Sequence, residues 1–393
     1  MAQSESNRIS LKISEETTWG ETPSSPAMTR IPYLSDSLVH DKRTVQSNVL
    51  RSDAMRDGQV EVGVSAGGEI PFELRFTDFQ TLFKQALRTT WQTATKTGAG
   101  TTNDLAFAAA GGGVQVITGP SGWTDDFDLN AWVRVKSAAQ AANNGIFKIS
   151  AKNATTLTIS NSAGVIEADS TAVITMKYLR NGTTKQSVLI EKAYEDLSNT
   201  YEYFTGMRVA GFSLNVQTEQ IVTGTFRFMG KQGFTSTATV SGSIVAASNN
   251  DSMNASVNVG NILENGVSLS TALKSITLDY NNNPRALAGI GNKAAIGVNL
   301  GSIEITGRVE AYFENLTLLD KVRNHTVSGL SFRMTDPAGN VMIFNVGRLY
   351  FTGNPTNPGI NQDAMLPLDY SAEREHADSF KLQIAALAAS GDS

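Results

Sequence analysis

The stretch QVEVGVSAGGEIPFELRF, residues 59–76, sets the fold class. Val60, Val62 and Val64 alternate with Gln59, Glu61 and Gly63, and Ile70, Phe72 and Leu74 alternate with Glu69, Pro71, Glu73 and Arg75. A period of two places apolar side chains on one face of a strand and polar ones on the other. The spacing predicts strands over 59–66 and 70–76, joined by a hairpin turn at Ala66-Gly67-Gly68, where glycine supplies the positive φ of a tight turn. Gly63 to Gly67 also spell Gly-x-Ser-x-Gly, the pattern of a hydrolase nucleophile elbow. An elbow needs its serine on a strand-to-helix turn. Ser65 instead runs into Gly-Gly and a second strand, so the hairpin is preferred and a serine hydrolase using Ser65 is the remote alternative.

The helix comes later, at TDFQTLFKQALR (77–88). Phe79, Leu82, Phe83, Ala86 and Leu87 fall at i, i+3, i+4, i+7 and i+8, one continuous apolar stripe that should lie across a sheet. Thr77 and Gln80 have capping-box spacing, and Arg88 would close the helix on the favourable side of its dipole. Residues 93–113 turn small and polar and read as a linker. Short strands follow at 132–136, 147–149, 157–159 and 171–179, with a turn at Asn143-Asn144-Gly145. They predict a small, self-contained inserted β-barrel over 104–182, and the glycine-bearing LRNGTTKQ returns the chain to its parent domain.

Longer strands resume from Ser187, with Gly206, Gly211 and Gly224 expected at their turns. IVTGTFRFMG (221–230) echoes IEITGRVEAYF (303–313), which suggests internal pseudo-symmetry. A short second helix is expected at NLTLLDKVRN, capped by Asn315 with Leu316, Leu319 and Val322 on one face. The chain ends in strands at VMIFNVGRLYF, AMLPLDYSAE and SFKLQIAAL. Residues 1–50, polar and broken by Pro23, Pro26 and Pro32, read as an extended arm that orders only on assembly.

Composition excludes several functions. Hydrophobic residues make up 40% of the 393 and charged residues only 18%, a balance suited to a β-rich protein that buries surface against other subunits. Lys plus Arg is 32 against 37 Asp plus Glu, a net charge of −5, and no basic stripe exists to neutralise phosphates. The absence of cysteine excludes disulfides and thiolate metal sites. No signal peptide or transmembrane run is visible, which fits synthesis in a cytoplasm. Asp126, Asp128 and Asn130 sit at positions 1, 3 and 5 of a calcium-loop pattern, but Ala131 and Ser137 replace its glycine and glutamate. GIGNKA (289–294) has dinucleotide-fingerprint spacing without a βαβ unit around it. His40, His325 and His376 are scattered. No cofactor, metal site or catalytic group is expected, and the chain is not read as an enzyme.

Three passages carry a family likeness: ISEETTWGETPSSP with LRSDAMRDGQVEVGVSAGGEIPFEL; VLIEKAYEDLSNTYEYFTGMRVAGFSLNVQTEQIVTGTFRFMGK; and LDYNNNPRALAGIG with GSIEITGRVEAYF. In this order, with the insert WVRV…NNGIFKIS…TTLTIS, the chain resembles the tail tube proteins of long-tailed double-stranded DNA bacteriophages, the longer type with an inserted β-domain. The resemblance implies a mainly β fold, a tail-tube β-sandwich or barrel with a flanking helix. Its discontinuous domain would span 51–103 and 183–393, with the small barrel of 104–182 on the outer surface and dispensable for ring closure. It implies a structural virion protein, made in the bacterial host and found in the tail. Hexameric rings of this chain would stack into the conduit for DNA ejection, meeting tape measure, tail terminator and distal tail proteins. DNA would pass without specific binding, and no membrane is involved. The alternative within the same class is another tail ring component, a terminator or distal tail protein. Glu61, Glu73, Glu304 and Glu310 lie on alternating strands and are candidate lumen residues. Trp19, Ile31, Tyr33 and Leu34, costly to leave in water, are candidate subunit contacts.

Overall fold

The computed structural model describes residues 4–56, 58–98, 105–255, 259–264, 267–269, 271–356, 358–376 and 379–389. The fold is mainly β, with two short helices among the described residues. Strands β1 (Ile9–Glu15), β2 (Ala27–Ile31) and β3 (Val39–Gln46) precede the long β4 (Gln59–Glu73) and helix α1 (Gln80–Ala86). Then come β5 (Gln92–Thr97), β6 (Leu105–Gly111), β7 (Val114–Thr118), β8 (Trp132–Lys136), β9 (Gly145–Lys152), β10 (Thr156–Ile159), β11 (Glu167–Asp169) and β12 (Val173–Arg180). The chain continues through β13 (Val188–Tyr194), β14 (Tyr201–Gln217), β15 (Thr223–Gly230), β16 (Gln232–Ser236), β17 (Ser243–Val245), β18 (Val259–Glu264), β19 (Val267–Ser268) and β20 (Leu273–Asn281). After the hairpin β21 (Pro284–Leu287) and β22 (Gly297–Leu300) come β23 (Glu304–Tyr312), α2 (Thr317–Arg323), β24 (Ser328–Thr335), β25 (Val341–Thr352), β26 (Met365–Ala372) and β27 (Leu382–Leu387).

The principal sheet is an antiparallel run in the order β4-β15-β14-β20-β23-β26. Its strands alternate with a period of two, shifted at bulges in β14 and β20, so Phe72, Phe226, Phe212, Leu278, Val309 and Leu368 are buried on one face. The second layer is β24, β25 and β27, and β25 joins the layers by pairing β26 through Leu349–Thr352. Helix α1 fills the space between them. Its five stripe residues are all buried, and the Phe83 ring lies 5.2 Å from Phe212 and Phe226 and 5.8 Å from Phe344. The helix therefore touches both layers instead of flanking one. It ends at Arg88, which adopts φ +57°. The Arg88 guanidinium then turns inward to Asn282 Oδ1 and the carbonyls of Asn282 and Gly301, at 2.8–3.1 Å. The expected capping box does not form. Thr77 Oγ1 accepts from Asn250 Nδ2 (3.2 Å), and the turn is held by Asp78, which accepts from the Ser248 amide and hydroxyl.

Several expectations about glycine are overturned. Residues 59–73 form one strand, not a hairpin. Gly67 and Gly68 are needed where backbones crowd: a Cβ on Gly68 (φ +144°) would come within 2.5 Å of the Ser37 carbonyl oxygen. Gly206, Gly211 and Gly224 also lie inside strands. Gly206, at φ +66°, marks where β14 passes from one sheet to another: its first half pairs β13 and β16, its second β15 and β20. The Thr-Gly echo has a packing basis. Gly224 faces Phe72 and Gly307 faces Tyr370 in register, and a Cβ on either would meet the ring at 2.6 and 2.4 Å.

Residues 1–50 hold packed strands as well as connecting segments. β1 pairs β13 and β2, and β3 pairs β4. Leu11, Ile13, Met28 and Ile31 are buried. The alternation of Ile9, Leu11 and Ile13 is a strand signal, but its partner lies at residues 188–194. Lys12, buried on the opposite face, donates to Glu191 (2.7 Å), whose other oxygen accepts from the Thr239 hydroxyl and the Val240 amide. Removing either charge would strand its partner in a buried site.

The insert is not self-contained. Its core of Phe107, Ile117, Phe127, Val133, Ile149, Leu157 and Ile174 continues into Val341, Ile343, Ala385 and Leu387 of the second layer, and β12 pairs β27. The segment expected as a linker includes β5, paired over six residues with β12; residues 99–104, with the expected boundary at Asp104, lie outside the described residues. Asn315 does support α2, accepting from the Thr317 amide (2.9 Å), although Leu318 and Leu319 are the buried pair and Leu316 is exposed.

Two outcomes test this packing. Phe83→Ala should cost about 3–5 kcal/mol in urea unfolding; a loss under about 1 kcal/mol would show that the helix does not bridge the layers. Inside the insert, the Asp169 carboxylate accepts from the amides of Ala139, Thr171 and Ala172 and from the Thr171 hydroxyl. Burial opposes its ionisation, but these bonds outweigh burial and bring it from 3.8 down to about 2. Its contribution is therefore complete above the unfolded value and fades as pH falls toward 2. Asp169→Asn should destabilise the chain at pH 6 and make its stability less steep between pH 4 and 2, read by thermal melts across pH.

Candidate functional site

The side of the principal sheet turned away from the core is polar on every strand. Thr223, Thr225 and Arg227 of β15 stand beside Ser213 and Asn215 of β14, then Thr277 and Asp279 of β20, Thr306 and Arg308 of β23, and Asp369 and Ser371 of β26. Short hydroxyl and amide side chains fill the middle. Glu69, Glu73, Asp279, Glu304, Glu310 and Asp369 outweigh Arg227, Arg308 and Lys274, so the face has an acidic excess. Arg227 binds Asp279 through two hydrogen bonds (2.7 and 3.0 Å). Arg308 approaches Asp369 at 3.6 Å and Lys274 approaches Glu310 at 3.9 Å. These pairs are half-exposed and contribute little to stability. What they determine is the charge pattern.

Three of the four expected glutamates share this face: Glu73, Glu304 and Glu310. Glu61 does not. The β4–β15 ladder stops at Ala66–Gly230, and Glu61 lies beyond it on the part of β4 paired with β3, 3.7 Å from Lys293 Nζ. Glu69, Asp279 and Asp369 belong to the same face and were equally legible from period-two alternation.

The β3–β4 ribbon is a second feature. Val39, Val45, Val60 and Val62 are exposed along it, and Leu50 in its connection is 98% exposed. Beside it runs the β21–β22 hairpin, joined where the Val64 amide donates to the Lys293 carbonyl and carrying Ile290 and Ile296, also exposed. Between them lies a cleft of about 620 Å³ lined by Val62, Ala66, Leu287 and Ala295. Apolar side chains so concentrated, here beside Asp41, Arg43 and Lys293 of the same cleft, are the usual composition of a contact surface.

The expected contact residues are largely used within the chain. Ile31 is in the core. The Trp19 indole donates to the Gly206 carbonyl (3.0 Å), with Lys231 and Arg208 5.6 and 5.8 Å from its ring. Tyr33 donates to the Ile9 carbonyl, and burial, then Asp36 and Glu195, push its phenol up to about 12. Leu34 alone of the four is exposed.

The motifs with catalytic or ligand patterns resolve into structural roles. Ser65 lies mid-strand opposite Asp41, while the His40 ring accepts from the Gly233 amide. Asp126 pairs with Lys96 and Asp128 accepts from the Tyr178 hydroxyl. GIGNKA is the loop of the β21–β22 hairpin; a strand does precede it, but another strand follows instead of a helix. Among the described residues no cluster of His, Asp or Glu could hold a metal, and no helix is long and apolar enough to cross a membrane.

A β-sandwich with one largely polar sheet face and an exposed apolar ribbon fits a subunit of an assembly. The family model for phage tail tube protein matches residues 6–372, and the chain belongs to that family. Comparison with curated proteins finds no match. Membership makes this a structural tail tube protein of a phage virion, and it implies self-assembly into a tube with other tail proteins in the virion tail.

Proposed function

We propose that the chain closes into hexameric rings that stack into a tail tube, with the polar sheet face lining the lumen through which double-stranded DNA is ejected. The carrying observation is that face itself: six strands wide, free of apolar side chains in its middle and acidic in balance. Such a wall repels phosphates and offers no cationic track to hold them. Ring closure also pairs the edges that an open sheet would expose. The β3–β4 ribbon and the β21–β22 hairpin contact neighbouring copies, and the insert of residues 104–182 forms the outer layer. Tape measure, tail terminator and distal tail proteins are the partners of this tube.

Purified protein should form long tubes in negative-stain micrographs. Val60→Asp with Val62→Asp should leave the subunit folded, with an unchanged melting temperature, but abolish tubes; normal tubes would remove the ribbon from the interface. Glu304→Lys repeats a positive charge in every subunit. Tubes should form, but DNA ejection from phage carrying the variant should slow, most at low salt where screening is weakest. Ejection at the wild-type rate across all salt concentrations would place Glu304 away from the DNA path.

A further inference from the structure

Arg134 on β8 and Arg333 on β24 meet at the rim of the insert's core. Arg333 stands opposite Ile343 in the β24–β25 register, on the face turned toward the insert. Among the described residues its guanidinium makes no hydrogen bond or ion pair, and Arg134 makes one, from Nη2 to the Gly339 carbonyl (2.5 Å). The Nε of each is shielded from solvent and has no acceptor. Both arginines are only half-exposed, and burial eases loss of a proton from each; for Arg134 the neighbouring Arg333 adds to this and Asp336 opposes it. Asp336, oriented by the Asn340 amide and side-chain nitrogen (both 2.8 Å), is among the described residues the one opposing charge acting on Arg134, against the cationic Arg134, Arg333 and Lys136. Lys136, two residues from Arg134 on the same strand face, opens on the same cleft. That cleft holds about 450 Å³, with Ser137, Gly145 and Thr335 also in its wall.

Two guanidiniums in a partly dehydrated cleft repel one another, and the repulsion is larger than it would be in water; Lys136 adds a third cationic side chain to the wall. The single bond from Arg134 to the Gly339 carbonyl leaves the Nε of both arginines without an acceptor. A dianion supplies what is missing. A phosphoryl group carries about −1.5 to −2 charges and three acceptor oxygens, a closer match to three cations than a carboxylate, and guanidinium forks suit its geometry. We propose that this cleft binds a phosphate-type oxyanion, as free phosphate or as a phosphomonoester on a larger molecule. DNA in the lumen proposed above is not the source, because the main core separates the cleft from the polar sheet face.

The test is calorimetric titration and thermal melting of the full chain with inorganic phosphate, glycerol 3-phosphate and acetate at matched ionic strength. Saturable binding of phosphate, with a rise in melting temperature that acetate does not reproduce, is expected. Arg333→Gln should weaken phosphate by about tenfold or more, the worth of charge-assisted hydrogen bonds. Without ligand, Arg333→Gln should also melt higher than wild type, because it removes the repulsion. Binding of glycerol 3-phosphate as well as phosphate would identify a phosphomonoester on a larger molecule as the source, and phosphate alone would identify the free ion. No saturable phosphate binding by wild type, equal effects of acetate, or undiminished binding by both Arg333→Gln and Arg134→Gln would overturn the proposal.

Discussion

The segment from Val341 to Val346 has no solvent face. All six of its residues are buried, because β25 is pressed between the main core on one side and the insert's core on the other. Met342, Phe344 and Val346 belong to the first, Val341 and Ile343 to the second. A strand buried on both sides reads as an almost unbroken apolar run, which VMIFNV is, and its one polar member, Asn345, meets the Ser331 hydroxyl at 2.6 Å. The rest of the architecture depends on this wall. It forces a helix into the sandwich on one side and makes a second, mostly β layer necessary on the other.

The same wall frees the principal sheet to be two-faced. With its apolar face closed by α1 and β24–β25–β27, the opposite face needs no packing partner and can consist of hydroxyls, amides and carboxylates. Two glycines make room for aromatic rings on the sheet's buried face. Phe72 and Tyr370 cross over Gly224 and Gly307, so the outer polar rows are not disturbed by bulk beneath them. Tyr370 also donates across to the Thr277 carbonyl (2.8 Å), tying β26 over β23 to β20.

Polar side chains in the interior act as junctions between distant segments. Asn282 donates to the carbonyls of Ala86 and Val209 while receiving Arg88, which joins the end of α1 to β14 and to the loop after β20. Asn181 accepts from the amides of Lys381 and Leu382 and donates to the Tyr280 hydroxyl. It anchors the chain's exit from the insert, a stretch that composition alone presents as a flexible return. Both asparagines lie in polar stretches, where sequence periodicity has nothing to report.

Local pattern alone determined the strand-rich class, the α1 stripe, the strands at 132–136 and 173–180, and the alternation that sets Glu304 and Glu310 on one side of their strand. Each depends on side-chain direction within a few residues, which the backbone period dictates. Partnership between distant segments was decided only by the tertiary structure. That Glu73 shares the face of Glu304 and Glu310 was decided by strand pairing. Gly67 and Gly68 look like a turn until Ser37 is seen against them. Residues 9–15 look like an arm until β13 is set beside them, and Trp19 looks like a contact for another subunit until Gly206 and Lys231 close on it. The insert looks independent until β25 and β27 supply the other wall of its core. In every case the missing information was the identity of a neighbour far along the chain, and burial and hydrogen bonding act through neighbours irrespective of their position in the sequence.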